Sequence, residues 1–102
     1  SYTGSRFAMH GLTSALALDL APKLRINSVA PGHVLTSDIL DAESLQRVQS
    51  ASPLGFGPSA RDVAESVAFL AKSPAITGQT IFVDSGERFR QMKKDPALDK
   101  GE

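Results

Sequence analysis

The segment 24–30 limits the possible folds most strongly, because its seven residues carry apolar side chains on both faces and end at Pro31-Gly32. A short strand that is buried on both faces is typical of a parallel sheet covered by helices. A second short apolar segment, 80–84, ends at Ser85-Gly86. The order helix, strand, long connection, helix, strand therefore predicts an α/β fold with a doubly wound parallel sheet.

The segment 2–20 contains no proline and repeats apolar residues every four positions, which predicts an amphipathic helix that ends at Pro22. Phe7 and Leu18 fall on roughly the opposite side of this helix. We therefore expect a second buried face, packed against another helix or another subunit. The main apolar stripe consists of Ala8, Leu12, Leu16 and Leu20.

The rest of the chain divides into a long connection, one further helix and a charged tail. The connection 31–58 has helical character around 41–50, and connections of this length are usually functional, often as a lid. Ser59 and Asp62 form a capping-box pattern that predicts the start of the last helix. Residues 87–102 are mostly charged and show no strong period, so we expect a solvated tail.

Composition excludes several classes of function. The chain has 102 residues, a net charge of 0 and no cysteine. We therefore expect one domain or part of one, no nucleic-acid partner, no disulfide and a cytoplasmic location. No apolar run approaches the roughly 20 residues of a membrane span, so no membrane association is expected. His10 and His33 lack a nearby carboxylate cluster, so no metal site is predicted. Because the sequence enters a helix at once without Met, we expect it to be part of a longer protein.

The geometry of a βα unit brings Tyr2 toward the Pro31 loop. The helix runs antiparallel to the strands, and its roughly 28 Å is comparable to the roughly 23 Å of a seven-residue strand. Both features then lie at the carboxyl edge of the sheet, where open α/β sheets bind ligands. Arg6 shares a helix face with Tyr2 and is a cation able to lower the phenol pKa from about 10. The alternative is an ordinary aromatic at a helix end beside a solvated arginine.

Several motifs in order resemble the C-terminal half of short-chain dehydrogenases/reductases. They are Tyr2-Thr3-Gly4-Ser5-Arg6, Arg25-Ile26-Asn27-Ser28-Val29-Ala30-Pro31-Gly32, Thr77-Gly78-Gln79 and Val83-Asp84-Ser85-Gly86. The resemblance implies that 1–86 is the C-terminal half of a Rossmann-type domain and 87–102 its charged tail. It also implies hydride transfer between NAD or NADP and a small carbonyl or alcohol substrate, and a homodimer or homotetramer. The ending Val83 to Phe89 is faintly similar to pteridine-reductase-like members.

The resemblance assigns a role to each candidate site residue. Tyr2 matches the catalytic acid/base, and Arg6 takes a position beside the tyrosine and the cofactor ribose. Pro31, Gly32, Val34 and Thr36 match the loop beside the nicotinamide, with the Val34 backbone at the carboxamide and the Thr36 hydroxyl on the cofactor. The long connection supplies apolar residues that either line the substrate site or belong to the core: Leu35, Ile39, Leu40, Leu54 and Phe56.

Three departures qualify the resemblance. Arg6 stands where the family motif has lysine, and an arginine is bulkier and effectively never deprotonated. Ser85 stands where glycine is usual. The glycine-rich phosphate loop and the catalytic serine of the family would lie upstream of Ser1. The alternative to an active oxidoreductase is therefore a catalytically impaired member that binds a nucleotide or pairs subunits.

Overall fold

The computed structural model describes residues 2–34 and 41–94, and the side chains of residues 4, 7–34 and 41–90. In chain order the elements are α1 Tyr2–Leu20, β1 Ser28–Pro31, α2 Ala42–Ser50, α3 Ala60–Ala71, β2 Thr80–Val83 and α4 Glu87–Lys94. None of the helices within the described ranges is long and apolar enough to cross a membrane.

The two strands pair in parallel, with Ser28 opposite Thr80 and Pro31 opposite Val83. This confirms the predicted α/β fold with a parallel sheet. The predicted strand 24–30 is wrong in its start, because β1 begins only at Ser28. Before that point the Asn27 side chain replaces the strand ladder: its amide donates to the Ile76 carbonyl at 3.0 Å and its oxygen accepts from the amide of residue 79 at 3.0 Å.

Helices cover both faces of the strand pair, as the doubly wound prediction requires. On one face the Thr13 hydroxyl of α1 meets the Ser28 hydroxyl at 2.5 Å. The next strand residue, Val29, points to the opposite face, where it lines a groove together with Val67 and Leu70 of α3. The sheet therefore separates α1 from α3.

The contact face of α1 differs from the predicted stripe. Thr13 and Ala17 are the buried positions, whereas Leu12 is 61% and Leu16 is 40% exposed. Small side chains at the sheet allow the close approach that the Thr13 hydroxyl bond requires, and a leucine there would hold the helix further away. Within the described residues, the leucines of the apolar stripe therefore do not form the contact between α1 and the sheet.

Residues 87–94 form α4, where the sequence indicated no helix, and Glu87 at its start is buried rather than solvated. The buried Asp84 side chain accepts hydrogen bonds from the Gly86 amide at 2.9 Å and the Arg88 amide at 3.1 Å. These bonds satisfy donors that would otherwise be unpaired at the start of a helix. A charged sequence therefore forms a helix because a buried side chain outside it caps its first turn.

Candidate functional site

The carboxyl ends of β1 and β2 lead into two segments that lie against each other, which we call loop 31–34 and turn 84–87. Loop 31–34 continues the ladder by one bond, since the Gly32 amide donates to the Val83 carbonyl at 3.1 Å. A Cβ atom on Gly32 would lie 3.0 Å from the Asp84 Cβ and 3.1 Å from its Cα. Glycine at position 32 is thus what allows the loop to pass this close to the turn.

Glu87 joins the two segments. Its carboxylate accepts a hydrogen bond from the His33 ring at 2.8 Å and one from the His33 amide at 3.3 Å. The Glu87 side chain is only 8% exposed, whereas the His33 side chain is 45% exposed. On the other side of the loop, the Gln49 side chain of α2 donates to the His33 carbonyl at 2.7 Å. Both backbone polar groups of His33 are therefore held by side chains.

The end of the long connection also packs on turn 84–87. The Leu54 amide donates to the Ser85 carbonyl at 3.2 Å, and a Cβ atom on Gly86 would lie 3.0 Å from the Pro53 ring. Leu54 and Phe56 are 64% and 59% exposed, so neither belongs to the core of the described residues. Their predicted role in lining a substrate site stays a prediction.

Ser85 has a φ of 53°, in the left-handed region that glycine adopts most easily. This geometry gives a physical reason for the glycine that the family usually carries at this position. The neighbouring Arg88 is fixed by three groups: its guanidinium forms an ion pair with Asp84 at 3.0 Å and lies 4.3 Å and 4.2 Å from the ring centres of Phe82 and Phe89. The turn that follows β2 is therefore well braced.

The contacts of α1 show how far Tyr2 lies along the sheet. A Cβ atom on Gly78, before β2, would lie 3.5 Å from Ala17, and His10 bonds to Thr80, the first residue of β2. Moving toward the start of α1 therefore moves toward the carboxyl ends of the strands. Tyr2 lies eight residues, or about 12 Å, before His10, and β2 is about 10 Å long. The first turn of α1, with Tyr2 and Arg6, thus reaches the level of loop 31–34.

Of the other residues predicted for the site, some lie outside the described residues and the rest belong to loop 31–34. Leu35, Thr36, Ile39 and Leu40 lie outside the described residues. Loop 31–34 borders an open groove of about 410 Å³ that also reaches the start of α3. The lining residues of this groove are Pro31, Gly32, His33, Val34, Ala60 and Val63.

Two residues at this edge were not predicted as part of the site, namely Glu87 and Gln49. Glu87 belongs to a charged segment and lies 54 positions from its partner His33, and no local pattern indicates such a pairing. Within the described ranges, no group of three or more His, Cys, Asp or Glu side chains is arranged to hold a metal ion.

Comparison with known proteins agrees with this architecture. A family model described as Enoyl-(Acyl carrier protein) reductase matches residues 1–87. The dihydromonapterin reductases of Citrobacter koseri and Escherichia coli are each 31% identical over 90 residues, which are 88% of this chain and 38% of theirs. The chain thus spans less than two fifths of the length of these curated relatives.

Solved structures show the same relationship. FolM Alternative dihydrofolate reductase 1 from Brucella suis, in complex with NADP, is 35% identical with a TM-score of 0.77, over 86% of this chain and 36% of that protein. Its counterpart from Brucella canis, complexed with NADP, is 34% identical with a TM-score of 0.79, over 93% and 38% of the two chains. These matches agree with the parallel strand pair, with its helices on both faces and with the motifs around Tyr2 and Pro31. The chain therefore belongs to the short-chain dehydrogenase/reductase family, with pteridine-reductase-like relatives.

Proposed function

We propose that the protein containing this chain is an NADP(H)-dependent reductase in which loop 31–34 binds the nicotinamide end of the cofactor. The observation that carries this proposal is the braced loop at the carboxyl edge of β1, beside an open groove. Two relatives of known structure have NADP bound. The cofactor supplies the hydride, and the chain supplies the groups that bind it and deliver the proton.

Loop 31–34 fits this role because it offers backbone groups on a rigid path. Among the described residues, none hydrogen-bonds the Val34 backbone, so within this part of the chain its amide and carbonyl are available for a carboxamide. Pro31 and Val34 contribute apolar groups to the groove, and an apolar surface suits one face of a nicotinamide ring. The Thr36 hydroxyl is proposed as a further hydrogen-bonding partner of the cofactor.

Tyr2 is proposed as the acid that donates its phenolic proton to the substrate. In the direction of oxidation it takes that proton back. Arg6, one helical turn later, would favour the phenolate by its positive charge and so lower the phenol pKa toward neutrality. It would also donate hydrogen bonds to the cofactor ribose from a fixed planar group, a geometry different from that of the family lysine.

The substrate class is proposed from the relatives. The curated relatives are named as reductases of dihydromonapterin and the solved ones as alternative dihydrofolate reductases. We therefore propose a reduced pteridine as substrate, with small carbonyl compounds as the broader class. The homodimer or homotetramer and the cytoplasmic location are proposed on the family resemblance and the composition.

The test is NADPH oxidation by the full-length protein with dihydropteridine and carbonyl substrates, compared between the wild type and Tyr2→Phe. Loss of a proton donor should lower kcat by about 100-fold or more while the dissociation constant of NADPH stays within about twofold. Binding measured in parallel by NADPH fluorescence controls for folding. Full turnover by Tyr2→Phe would exclude Tyr2 as the acid.

Arg6 also motivates a second candidate, a catalytically impaired member that binds a nucleotide or pairs subunits. The variant Arg6→Lys separates the two functions. An increase in rate, or a lower kinetic pKa, would show an active site that arginine merely detunes. NADPH binding without turnover in either protein would support the impaired member.

A further inference from the structure

We propose that Glu87 is a positioning residue for the cofactor loop, acting by holding His33 through both its ring and its backbone amide. The inference rests on the proposed function, because it assumes that loop 31–34 contacts the cofactor. It assigns a role to a residue to which the family resemblance assigned none. The contacts between Glu87 and His33 that support it lie within the part of the chain that the structure describes.

A buried carboxylate requires strong compensation, and Glu87 has it from one residue. Its two oxygens accept bonds from the His33 ring at 2.8 Å and the His33 amide at 3.3 Å. Its position in the first turn of α4 adds the favourable field of a helix N-terminus. Because burying an unpaired charge is costly, the carboxylate is stable in this place only while His33 stays in its present position. The two hydrogen bonds from His33 to Glu87 therefore fix loop 31–34 and not only the first turn of α4.

The loop is held at neighbouring points on both sides. The Gly32 amide is tied to the Val83 carbonyl at 3.1 Å, and the His33 carbonyl accepts from Gln49 at 2.7 Å. With the His33 amide bound to Glu87, three polar backbone groups just before Val34 have partners: the Gly32 amide and both polar groups of His33. The backbone direction at Val34 is then fixed before a cofactor binds, which reduces the conformational entropy lost when the cofactor orders the loop.

A purely structural role for Glu87 makes a different prediction. If the carboxylate served only to stabilise the first turn of α4, its removal would lower stability without a selective change in cofactor affinity. A positioning role changes the KM for NADPH more than kcat, because a bound cofactor reorders the loop. The His33 ring offers a second way to separate the two roles, because it is partly exposed and can be removed without opening a core cavity.

The experiment uses the full-length protein with Glu87→Met, which keeps a similar volume and removes both acceptors, and Glu87→Gln, which keeps one acceptor for the His33 amide. We expect Glu87→Met to weaken NADPH binding about tenfold and Glu87→Gln about threefold, with kcat at saturating NADPH changed less than about twofold. The matched control is Glu65→Met, because Glu65 is an exposed carboxylate on α3 whose ion-pair partner within the described ranges is the exposed Arg61.

Amide hydrogen exchange without cofactor provides a readout that does not depend on activity. Exchange at His33 should rise about tenfold in Glu87→Met and remain unchanged in Glu65→Met. If Glu87→Met fails to fold, His33→Ala provides the same test from the other side: it should raise the KM for NADPH with little change in kcat.

The outcomes separate this inference from the proposed function. Unchanged exchange at His33 together with unchanged NADPH affinity in Glu87→Met would overturn the positioning role. Equal losses in Glu87→Met and Glu87→Gln, with parallel changes in kcat and KM, would also overturn it. If the wild type binds neither NADPH nor NADH, the proposed function fails, and the exchange at His33 still decides whether Glu87 holds the loop.

Discussion

Removal of the Arg25 guanidinium should loosen the end of α3 and with it the approach to β2. Arg25 precedes β1, yet its side chain bonds to carbonyl oxygens at and beyond the end of α3. Two of them, those of Leu70 and Ala71, lie in the last turn of α3, where carbonyls lose the amide four residues later as a helical partner. The four acceptors are the carbonyl oxygens of Leu70 at 3.0 Å, Ser73 at 2.8 Å, Ile76 at 3.3 Å and Ala71 at 3.1 Å.

The size of the effect follows from the number and exposure of these bonds. The two hydrogens on Arg25 Nη1 are shared among three carbonyl oxygens, and Nη2 donates to one. About three hydrogen bonds therefore form at the same time. Only the bond to Leu70 is partly buried, and the others are open to water. At about 1 kcal/mol for the buried bond and about 0.5 kcal/mol for each exposed one, plus about 0.5 kcal/mol from the helix dipole, the sum is about 2.5 kcal/mol.

We therefore expect Arg25→Met to lower the free energy of unfolding of the full-length protein by about 2 to 3 kcal/mol. Arg25→Lys should lose about half of that, because an ammonium keeps the charge but not the fork of donors. Urea denaturation gives the free energies, and hydrogen exchange at Lys72 and Ser73 reports on the last turn of α3 directly.

The matched control is Arg61→Met, since the Arg61 side chain is 87% exposed and, among the residues that the structure describes, pairs with the exposed Glu65. An exposed pair of this kind contributes up to about 0.5 kcal/mol. If Arg25→Met lowers the free energy of unfolding no more than Arg61→Met does, or if Arg25→Lys lowers it not at all, the Arg25 guanidinium does not cap α3.

Three further predictions concern the turn, the loop and the N-terminus of α3. Ser85→Gly should raise the melting temperature, because relief of a left-handed serine is worth about 1 kcal/mol against a smaller entropy cost; a lower melting temperature would contradict this. Gly32→Ala should destabilise the fold by about 1 to 3 kcal/mol in urea, since its Cβ would lie 3.0 Å from Asp84; wild-type stability would show that the contact yields. Hydrogen bonds from the Ser59 amide and hydroxyl hold the pKa of Asp62 below its usual 3.8, so its contribution to stability is present above that pH and is lost as the pH falls through the lowered value. Asp62→Asn should therefore lose less stability than the wild type between pH 5 and pH 2, and equal losses would argue against it.

Elements with local causes were predicted well. The helix 2–20 has the bounds of α1, and the Ser59 and Asp62 capping box is present with both reciprocal bonds, at 3.1 Å and 2.9 Å. Such signals depend on residues three or four positions apart, so they can be recognised without knowledge of the fold. The roles of Tyr2, Arg6 and Thr36 stay predictions, because they depend on groups outside the described side chains.

Elements with distant causes were predicted poorly. β1 starts at Ser28, later than predicted, because the Asn27 side chain bonds to the segment before β2, about fifty residues further along the chain. The packing face of α1 passes through Thr13 and Ala17, since only small side chains fit against the sheet. A leucine stripe shows which side of a helix is apolar, but not which partner covers that side.

The amino-acid sequence by itself determined the family and the order of the elements as far as β2, because these depend on motifs and local periodicity. The carboxyl edge of the sheet as the place where a ligand binds stays a prediction. Only the tertiary structure decided that a charged segment forms α4 and that Glu87 contacts loop 31–34 through the ring and amide of His33. The physical reason is that a carboxylate changes from a solvated group to a buried anchor when the fold brings a donor to it. That donor lies 54 positions away along the chain.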